Sequence, residues 1–147
     1  MSFRLIFGSR LNRNEYLARY RMADLFLDTL PYNAATTASD ALKMGLPVLT
    51  LEGNSFASRM ASSVLSAANL PELITSSEGD YESLAIELAT NPKKFNSIKV
   101  KLNETIAKSA LYNTAKFTEN LESVYSIMYQ RYHDGLEPDH IYSDDFE

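Results

Sequence analysis

Cysteine is absent from the 147-residue chain, so disulfide bonds and thiolate metal sites are excluded. No apolar run approaches the roughly 20 residues that a membrane-spanning helix needs, and the opening residues lack the apolar stretch of a signal peptide. Basic residues are outnumbered, with 14 lysines and arginines against 19 acidic residues and a net charge of −5. Because duplex-binding domains normally carry a basic stripe, nucleic acid is not an expected partner. Together these absences predict a cytoplasmic protein without a membrane span.

The remaining composition is that of an ordinary globular domain. Hydrophobic residues make up 45% and charged residues 22% of the chain, which supplies enough apolar material for one packed core. Residues 137–147 differ, because five acidic residues face only His140 there, and this predicts a solvated tail. His133 is the only other histidine, and with so few ligands no metal site is expected.

Apolar runs alternate with helical patterns along the first half of the chain. Residues 4–7, 25–27 and 47–51 form short apolar runs bounded by glycine, proline or polar residues, as buried strands do. Residues 73–74 form a shorter run of the same kind. Strands and helices that alternate at this spacing predict βαβ units and a Rossmann-like parallel sheet flanked by helices.

Capping residues mark the ends of the predicted helices. Asn12 or Asn14 is expected to cap the first helix, and Thr36 is expected to cap the second. Gly45 stands where a left-handed residue ends that second helix. Residues 55–68 predict a third helix after the third apolar run.

The second half of the chain is predicted to be helical. Ser77 and Asp80 resemble a capping box at the start of a fourth helix. The last helix, over about residues 114–134, has an apolar stripe that docks either on the preceding body or on another part of a larger protein. We expect a boundary that divides the chain into residues 1–112, an α/β body, and residues 113–147, a terminal helix with an acidic tail.

Three loops leave the carboxyl ends of the predicted strands, where open parallel sheets bind ligands. They comprise residues 8–13, 32–37 and 52–56. The second loop is rich in small residues, which let a ligand approach the backbone. Thr36 and Thr37 add hydroxyls and free N–H groups at a helix start, an arrangement that binds anions.

Other residues near these loops have both a functional and a structural interpretation. Asp40 is placed to accept hydrogen bonds from a ribose diol, but it also suits the amino-terminal turn of a helix. Thr36 can hold an anion or simply cap the helix. Tyr16 and Arg19 follow the first loop on one helical face, where they are either ligand contacts or ordinary surface residues.

Acidic residues near the strands allow a competing interpretation as the paired carboxylates of a hydrolase. Asp24, Asp28 and Glu52 are the candidates. Because Asp24 and Asp28 flank a predicted strand, we expect them to serve turns and helix ends instead.

Several segments resemble the O-GlcNAc transferase family, glycosyltransferase family 41, and its bacterial relatives. The longest is residues 23–65, ADLFLDTLPYNAATTASDALKMGLPVLTLEGNSFASRMASSVL. Residues 70–74, LPELI, residues 111–122, LYNTAKFTENLE, and residues 132–141, YHDGLEPDHI, continue the likeness in the same order. An ordered match of this length, over about residues 4–141, is more specific than any one short motif.

The resemblance implies a partial C-terminal lobe of a two-lobed GT-B glycosyltransferase. Its donor would be a UDP-sugar, with N-acetylglucosamine transferred from UDP-GlcNAc to serine or threonine of a protein, without a metal or other cofactor. The acceptor site and an N-terminal lobe, often preceded by tetratricopeptide repeats, would belong to other regions. The chain would then be a fragment that is inactive in isolation. A non-catalytic nucleotide-binding or scaffold remnant is the alternative.

Residue roles follow from the same resemblance. Thr36 and Thr37 match the residues that hold the diphosphate, and Asp40 matches the residue that binds the ribose hydroxyls. Arg13 falls at a lysine of some members. The match therefore implies that one helix start and its neighbourhood bind the charged part of the donor.

The base-binding side is matched by residues of the first loop and helix. Arg19 matches an arginine near the uracil edge, and Leu11 matches a residue whose backbone meets the base. Tyr16 falls where the family often has a histidine stacked on the base, and an aromatic ring can keep that role.

One position departs from the family pattern. Members that use UDP-GlcNAc usually read His-Thr-Thr where this chain has Ala35 before the two threonines. Relatives that transfer fucose from GDP-fucose also lack that histidine. Nucleotide binding is expected to persist, while GDP-fucose becomes an alternative donor.

Overall fold

The computed structural model describes residues 4–141 and contains a three-stranded parallel sheet. The strands lie side by side in chain order: β1 (Phe26–Leu27), β2 (Val48–Leu51) and β3 (Ile74–Thr75). Parallel neighbours need crossover connections, and a helix lies in each of the two crossovers. The α/β architecture with a parallel sheet is therefore confirmed.

Within the described residues 4–141, six α-helices precede, connect or follow the strands. They are α1 (Arg13–Arg19), α2 (Thr36–Lys43), α3 (Met60–Ala67), α4 (Glu78–Thr90), α5 (Pro92–Thr105) and α6 (Thr114–His133). The Asn12 side chain caps α1, and Ser77 caps α4 by accepting a hydrogen bond from the backbone N–H of Asp80. Gly45 has φ +81° just after α2, as expected of a left-handed terminator.

The core lies between the sheet and the helices that follow it. Its largest fully buried side chains are mostly leucines, namely Leu42, Leu49, Leu65, Leu70, Leu73 and Leu102. Burial of one such side chain stabilises the fold by roughly 1.5–3 kcal/mol. Apart from Leu49, these leucines pack in one cluster with Val48 of β2. Because the cluster draws on α2, β2, α3, α5 and the segment before β3, one core fixes the strand ends from which the loops leave.

The predicted first strand, residues 4–7, is wrong. Ile6 is 93% exposed and Phe7 91% exposed, and neither belongs to a strand. A strand needs a neighbour for its backbone hydrogen bonds, and in the part of the chain that the structure describes these residues have none. The second predicted strand exists as β1, but as an edge strand it leaves Leu27 54% exposed instead of buried.

The third helix begins later than its sequence pattern predicts. A network of serines occupies its predicted first turn: the backbone N–H of Ser55 donates to Ser58 Oγ at 3.0 Å, and that of Ser58 donates to Ser55 Oγ at 3.1 Å. Such local side-chain bonds compete with helix formation. The chain makes a short 3-10 turn at Ala57–Arg59 before α3 starts at Met60.

Helix α6 is long and mostly exposed. Asn120 is its one buried residue, while Phe117 is 65%, Met128 50% and Tyr132 79% exposed. The apolar stripe of α6 thus does not dock on the α/β body within residues 4–141. The division of the chain at residue 112 stays a prediction.

No helix within residues 4–141 is long and apolar enough to cross a membrane.

Candidate nucleotide-binding site

A buried carboxylate organises the loop that follows β1. Asp28 is only 5% exposed. Its Oδ1 accepts hydrogen bonds from the backbone N–H of Thr29 at 2.8 Å and of Ala34 at 2.7 Å. Its Oδ2 accepts from the Thr50 hydroxyl at 2.7 Å. The expectation that Asp28 serves a turn is confirmed, and the same carboxylate ties that turn to β2.

This hydrogen-bond network extends across all three strands. The Thr75 hydroxyl of β3 donates to the Thr50 carbonyl of β2 at 2.8 Å, and the Tyr81 hydroxyl donates to the Asp28 carbonyl at 2.9 Å. Burial raises the pKa of Tyr81, and the negative charge of Asp28 raises it further. Tyr81 therefore stays protonated at neutral pH and remains a donor to the end of β1.

Asn33 fixes the other end of this loop. It is 1% exposed, and its backbone N–H donates to the Ala57 carbonyl at 3.0 Å. Its side-chain amide donates to the carbonyls of Thr29 at 3.1 Å and Leu51 at 3.4 Å. These bonds join the loop after β1 to the loop after β2, so the backbone that leads into α2 is held on both sides.

Helix α2 begins without a side-chain cap. Ala35 occupies the cap position, which makes Thr36 the first helical residue, so the prediction that Thr36 caps the helix is wrong. Thr36 and Thr37 are exposed, and within residues 4–141 neither hydroxyl makes a hydrogen bond. Their hydroxyls and the N–H groups of the first turn are therefore available to an anion.

The two threonines line an open cleft of about 490 Å³, which we call the threonine cleft. Phe26, Tyr32 and Ala35 also line it. The alanine offers no bulk and no polar side-chain atom, so a ligand has access to the start of α2. Ala35, Thr36 and Thr37, three of the predicted site residues, are thus brought together in one place.

Two further predicted residues, Tyr16 and Arg19, line a neighbouring cleft of about 310 Å³, the tyrosine cleft. The Tyr16 hydroxyl bonds that of Tyr20, and the two rings pack edge to face with centroids 5.2 Å apart. Arg19 donates to the Ser9 carbonyl at 2.8 Å, which joins α1 to the preceding segment. Phe26 lines both clefts, so they adjoin along β1.

Arg13 and Asp40 form an ion pair between α1 and α2. Arg13 Nη2 lies 3.3 Å from Asp40 Oδ1, with the arginine side chain 68% exposed and the aspartate side chain 12% exposed. Neither residue lines the threonine or the tyrosine cleft. Leu11, 37% exposed, also lines neither cleft.

The segment around α1 is strongly basic. Residues 4–22 carry five arginines and one glutamate in a chain whose net charge is −5. Such a local excess attracts anionic ligands to this segment, of which Arg19 lines the tyrosine cleft. Residues 4–141 contain no group of three or more metal-ligating side chains, and a metal-free site stays a prediction.

Sequence reasoning gave three residues of this region no part in the site, because Asp28 was expected only to serve a turn, and Tyr32 and Asn33 only to belong to the second loop. Asp28 and Asn33 build the loop from within, and Tyr32 lines the threonine cleft. A signal was present, because aspartate and asparagine just after a strand often bond nearby backbone N–H groups. The sequence did not indicate which of them would be buried.

Comparisons with known proteins agree with this architecture. The sequence model of Glycosyl transferase family 41 matches residues 1–121. A SPINDLY protein of Petunia hybrida, a probable UDP-N-acetylglucosamine–peptide N-acetylglucosaminyltransferase, is 38% identical over 128 residues, which are 87% of this chain and 14% of that protein. The UDP-N-acetylglucosamine–peptide N-acetylglucosaminyltransferase of Caenorhabditis elegans is 32% identical over 138 residues, 94% of this chain and 12% of its own.

A solved structure gives the same result for the fold. A mutant O-GlcNAc transferase of Thermobaculum terrenum superposes with a TM-score of 0.81 at 35% identity, over 86% of this chain and 24% of that one. This chain spans only 12–14% of the length of the Petunia hybrida and Caenorhabditis elegans proteins. Since the family model covers most of the sequence, this chain belongs to glycosyl transferase family 41.

Proposed function

We propose that this chain is the donor-binding portion of a protein O-glycosyltransferase and holds the diphosphate of a nucleotide sugar. The observation that carries the proposal is the start of α2. Thr36 and Thr37 are exposed there, and their hydroxyls make no hydrogen bond within residues 4–141 and lie beside the free backbone N–H groups of the first helical turn. Buried hydrogen bonds of Asp28 and Asn33 fix the loop that leads into this turn. Preorganised donors of this kind bind an anion without first reorganising.

The same donors suit the chemistry of glycosyl transfer. In an inverting displacement an acceptor hydroxyl attacks the anomeric carbon and loses its proton to a base, which would lie with the acceptor site in another region, as the bond to the nucleoside diphosphate breaks. Negative charge then grows on the departing diphosphate, where Thr36, Thr37 and the helix dipole stabilise it. The basic segment of residues 4–22 adds positive charge nearby.

The base and ribose are proposed to lie on the α1 side of the diphosphate. Tyr16 and Arg19 in the tyrosine cleft would contact the base, together with the backbone of Leu11. Asp40 would accept hydrogen bonds from the ribose hydroxyls through Oδ2. Arg13 bonds the other oxygen, Oδ1, and Oδ2 accepts no hydrogen bond from residues 4–141. Arg13 would hold the carboxylate in place.

The donor we propose is UDP-GlcNAc, with serine or threonine of a protein as acceptor. The names of the similar Petunia hybrida and Caenorhabditis elegans proteins include that donor. Ala35 favours a second possibility, a different donor such as GDP-fucose or a lobe that binds nucleotide without catalysis, because its methyl group offers no donor to the sugar. The acceptor site, the other lobe and any tetratricopeptide repeats would lie in other regions, in a cytoplasmic protein.

Calorimetric titration of the purified chain with UDP and GDP tests the proposal. We expect saturable binding of one of them, and no binding of either at millimolar concentration would refute it. Asp40→Ala should weaken the binding by about 1–3 kcal/mol through loss of charged hydrogen bonds, with the fold intact by circular dichroism. Asp139→Ala, which also removes an ion-paired carboxylate but lies far along the chain, is the control and should leave the affinity unchanged.

A further inference from the structure

Tyr32 is an exposed aromatic residue on a loop whose backbone is fixed. Tyr32 is 75% exposed. Its carbonyl accepts a hydrogen bond from the Thr29 hydroxyl at 2.8 Å, and the next residue, Asn33, is 1% exposed and bonded to Ala57. The backbone that carries the ring is therefore fixed, although the ring itself protrudes from the surface.

The ring of Tyr32 has no partner within residues 4–141: neither a hydrogen bond of its hydroxyl nor a stacked ring nor a cation is found there. An exposed aromatic side chain leaves a large apolar surface in water, which is unfavourable. Isolated exposed aromatics are common on protein surfaces. This one differs because it lines a cleft whose other members offer donors to an anion.

The position of Tyr32 separates it from the base-binding candidates. It lines the threonine cleft with Thr36 and Thr37, whereas Tyr16 and Arg19 line the tyrosine cleft. A diphosphate at the two threonines has a nucleoside on one end and a sugar on the other. If the nucleoside extends toward the tyrosine cleft, the sugar remains in the threonine cleft beside Tyr32.

We propose that Tyr32 stacks on the C–H face of the donor's hexopyranose and so helps to select the sugar. This inference rests on the proposed function. One face of a pyranose presents C–H groups that are apolar and slightly positive, and the face of an aromatic ring is negative, so the two attract each other. Ala34 and Ala35 also line the cleft and leave room for the sugar there.

The experiment compares a nucleoside diphosphate with its sugar conjugate. The wild-type chain, Tyr32→Ala and Tyr32→Phe are titrated with UDP, UDP-GlcNAc, GDP and GDP-fucose. Tyr32→Ala should weaken binding of the sugar conjugate about three- to tenfold and leave the affinity for the free diphosphate unchanged. Tyr32→Phe keeps the ring face and should bind both like the wild type. Phe117→Ala is the matched control, because Phe117 on α6 is 65% exposed and does not line the cleft.

A second measurement locates the contact on the sugar. In saturation-transfer NMR with the wild-type chain, the C–H protons of the hexose should receive saturation and shift upfield over the aromatic ring. The upfield shift should disappear in Tyr32→Ala, and the saturation of the hexose protons should fall relative to that of the nucleoside protons. Both effects should persist in Tyr32→Phe.

Other outcomes would overturn the inference in distinguishable ways. An equal loss of affinity for diphosphate and conjugate would mean that Tyr32 contacts the nucleotide or supports the loop. Unchanged affinity for both in Tyr32→Ala would mean that the ring touches no part of the donor. Failure of the wild-type chain to bind any of the four ligands would instead refute the proposed function, and this inference with it.

Discussion

The two sides of the candidate site are held in different ways. The phosphate side, residues 28–37, is fixed by buried hydrogen bonds of Asp28 and Asn33 to β2 and to neighbouring backbone. The base side, residues 8–19, is tied to α2 by an ion pair whose arginine is largely exposed, whereas the bond of Arg19 to Ser9 lies within the segment itself. Under the proposed function, the diphosphate would therefore meet a preformed site, whereas the base would meet a segment that is less firmly held.

This difference has a thermodynamic consequence. Binding to a fixed loop loses little conformational entropy, but ordering a loosely held segment costs roughly 1–2 kcal/mol for each residue whose backbone is fixed. Affinity should therefore come mainly from the diphosphate. The tyrosine cleft on this side also includes Leu27 of the edge strand β1, which is 54% exposed.

The largest expected effect is on the phosphate side, from Asp28→Ala. The change removes the acceptor for two backbone N–H groups and for the Thr50 hydroxyl. Leaving these donors unpaired should lower the free energy of unfolding by about 3 kcal/mol. Urea denaturation followed by circular dichroism measures it.

Asp24→Ala is the matched control for this prediction, because Asp24 is exposed and precedes β1, whereas Asp28 follows it. We expect its free energy of unfolding to stay within about 0.5 kcal/mol of the wild type. If Asp28→Ala were equally harmless, the phosphate side would not be held by its buried carboxylate, and the contrast between the two sides would disappear.

The next effect concerns binding rather than stability. Thr36→Val combined with Thr37→Val keeps the shape of both side chains but removes both hydroxyl donors. We expect the affinity for the bound nucleoside diphosphate to fall about tenfold, which corresponds to roughly 1.4 kcal/mol, with unchanged unfolding. Thr118→Val, remote on α6, serves as the control in the same titration. An unaltered affinity in the double variant would show that the hydroxyls do not touch the diphosphate.

Local sequence patterns predicted much of the fold. The alternation of strand and helix patterns that predicts the sheet, the caps Asn12 and Ser77, and the left-handed Gly45 are all local signals, since each depends on a few neighbouring residues. Residues 4–7 have an equally good strand pattern and yet form no strand. Pattern describes what a segment can become, but pairing depends on a neighbour distant in sequence.

The candidate site was predictable in the same uneven way. Thr36 and Thr37 could be found because a small-residue loop before a helix is a local pattern. Asp28 could not be ranked above Asp24, since its importance lies in Thr50 and Tyr81, which are 22 and 53 residues away. Long-range hydrogen bonds of this kind produce no recognisable pattern of residue spacing in the sequence.

A smaller effect is expected from Tyr81→Phe on the phosphate side. Loss of its hydrogen bond to the Asp28 carbonyl should cost about 1 kcal/mol of unfolding free energy at neutral pH. Because burial raises the pKa of Tyr81 above its ordinary value of 10.0, the unfolded chain ionises first. Wild-type stability should therefore fall as the pH rises above about 10, and be unaffected below it.

Urea denaturation at about pH 8 and about pH 11 checks this sign, since the alkaline loss should be smaller in Tyr81→Phe than in the wild type. Part of the loss should remain, because burial also raises the pKa values of Tyr20 and Tyr112. An alkaline loss of the same size in both proteins would mean that Tyr81 ionises alike in the folded and unfolded chains.

The smallest effect is expected on the base side, from Arg13→Ala. Its partner Asp40 is nearly buried, but the arginine is 68% exposed, and water screens such a pair. The free energy of unfolding should change by less than about 0.5 kcal/mol, as it should for Lys94→Ala, which removes another exposed ion pair. A loss as large as that of Asp28→Ala would show that both sides are held equally firmly. A small loss in stability with a several-fold loss in nucleotide affinity would instead mean that Arg13 acts by orienting Asp40 toward the ribose.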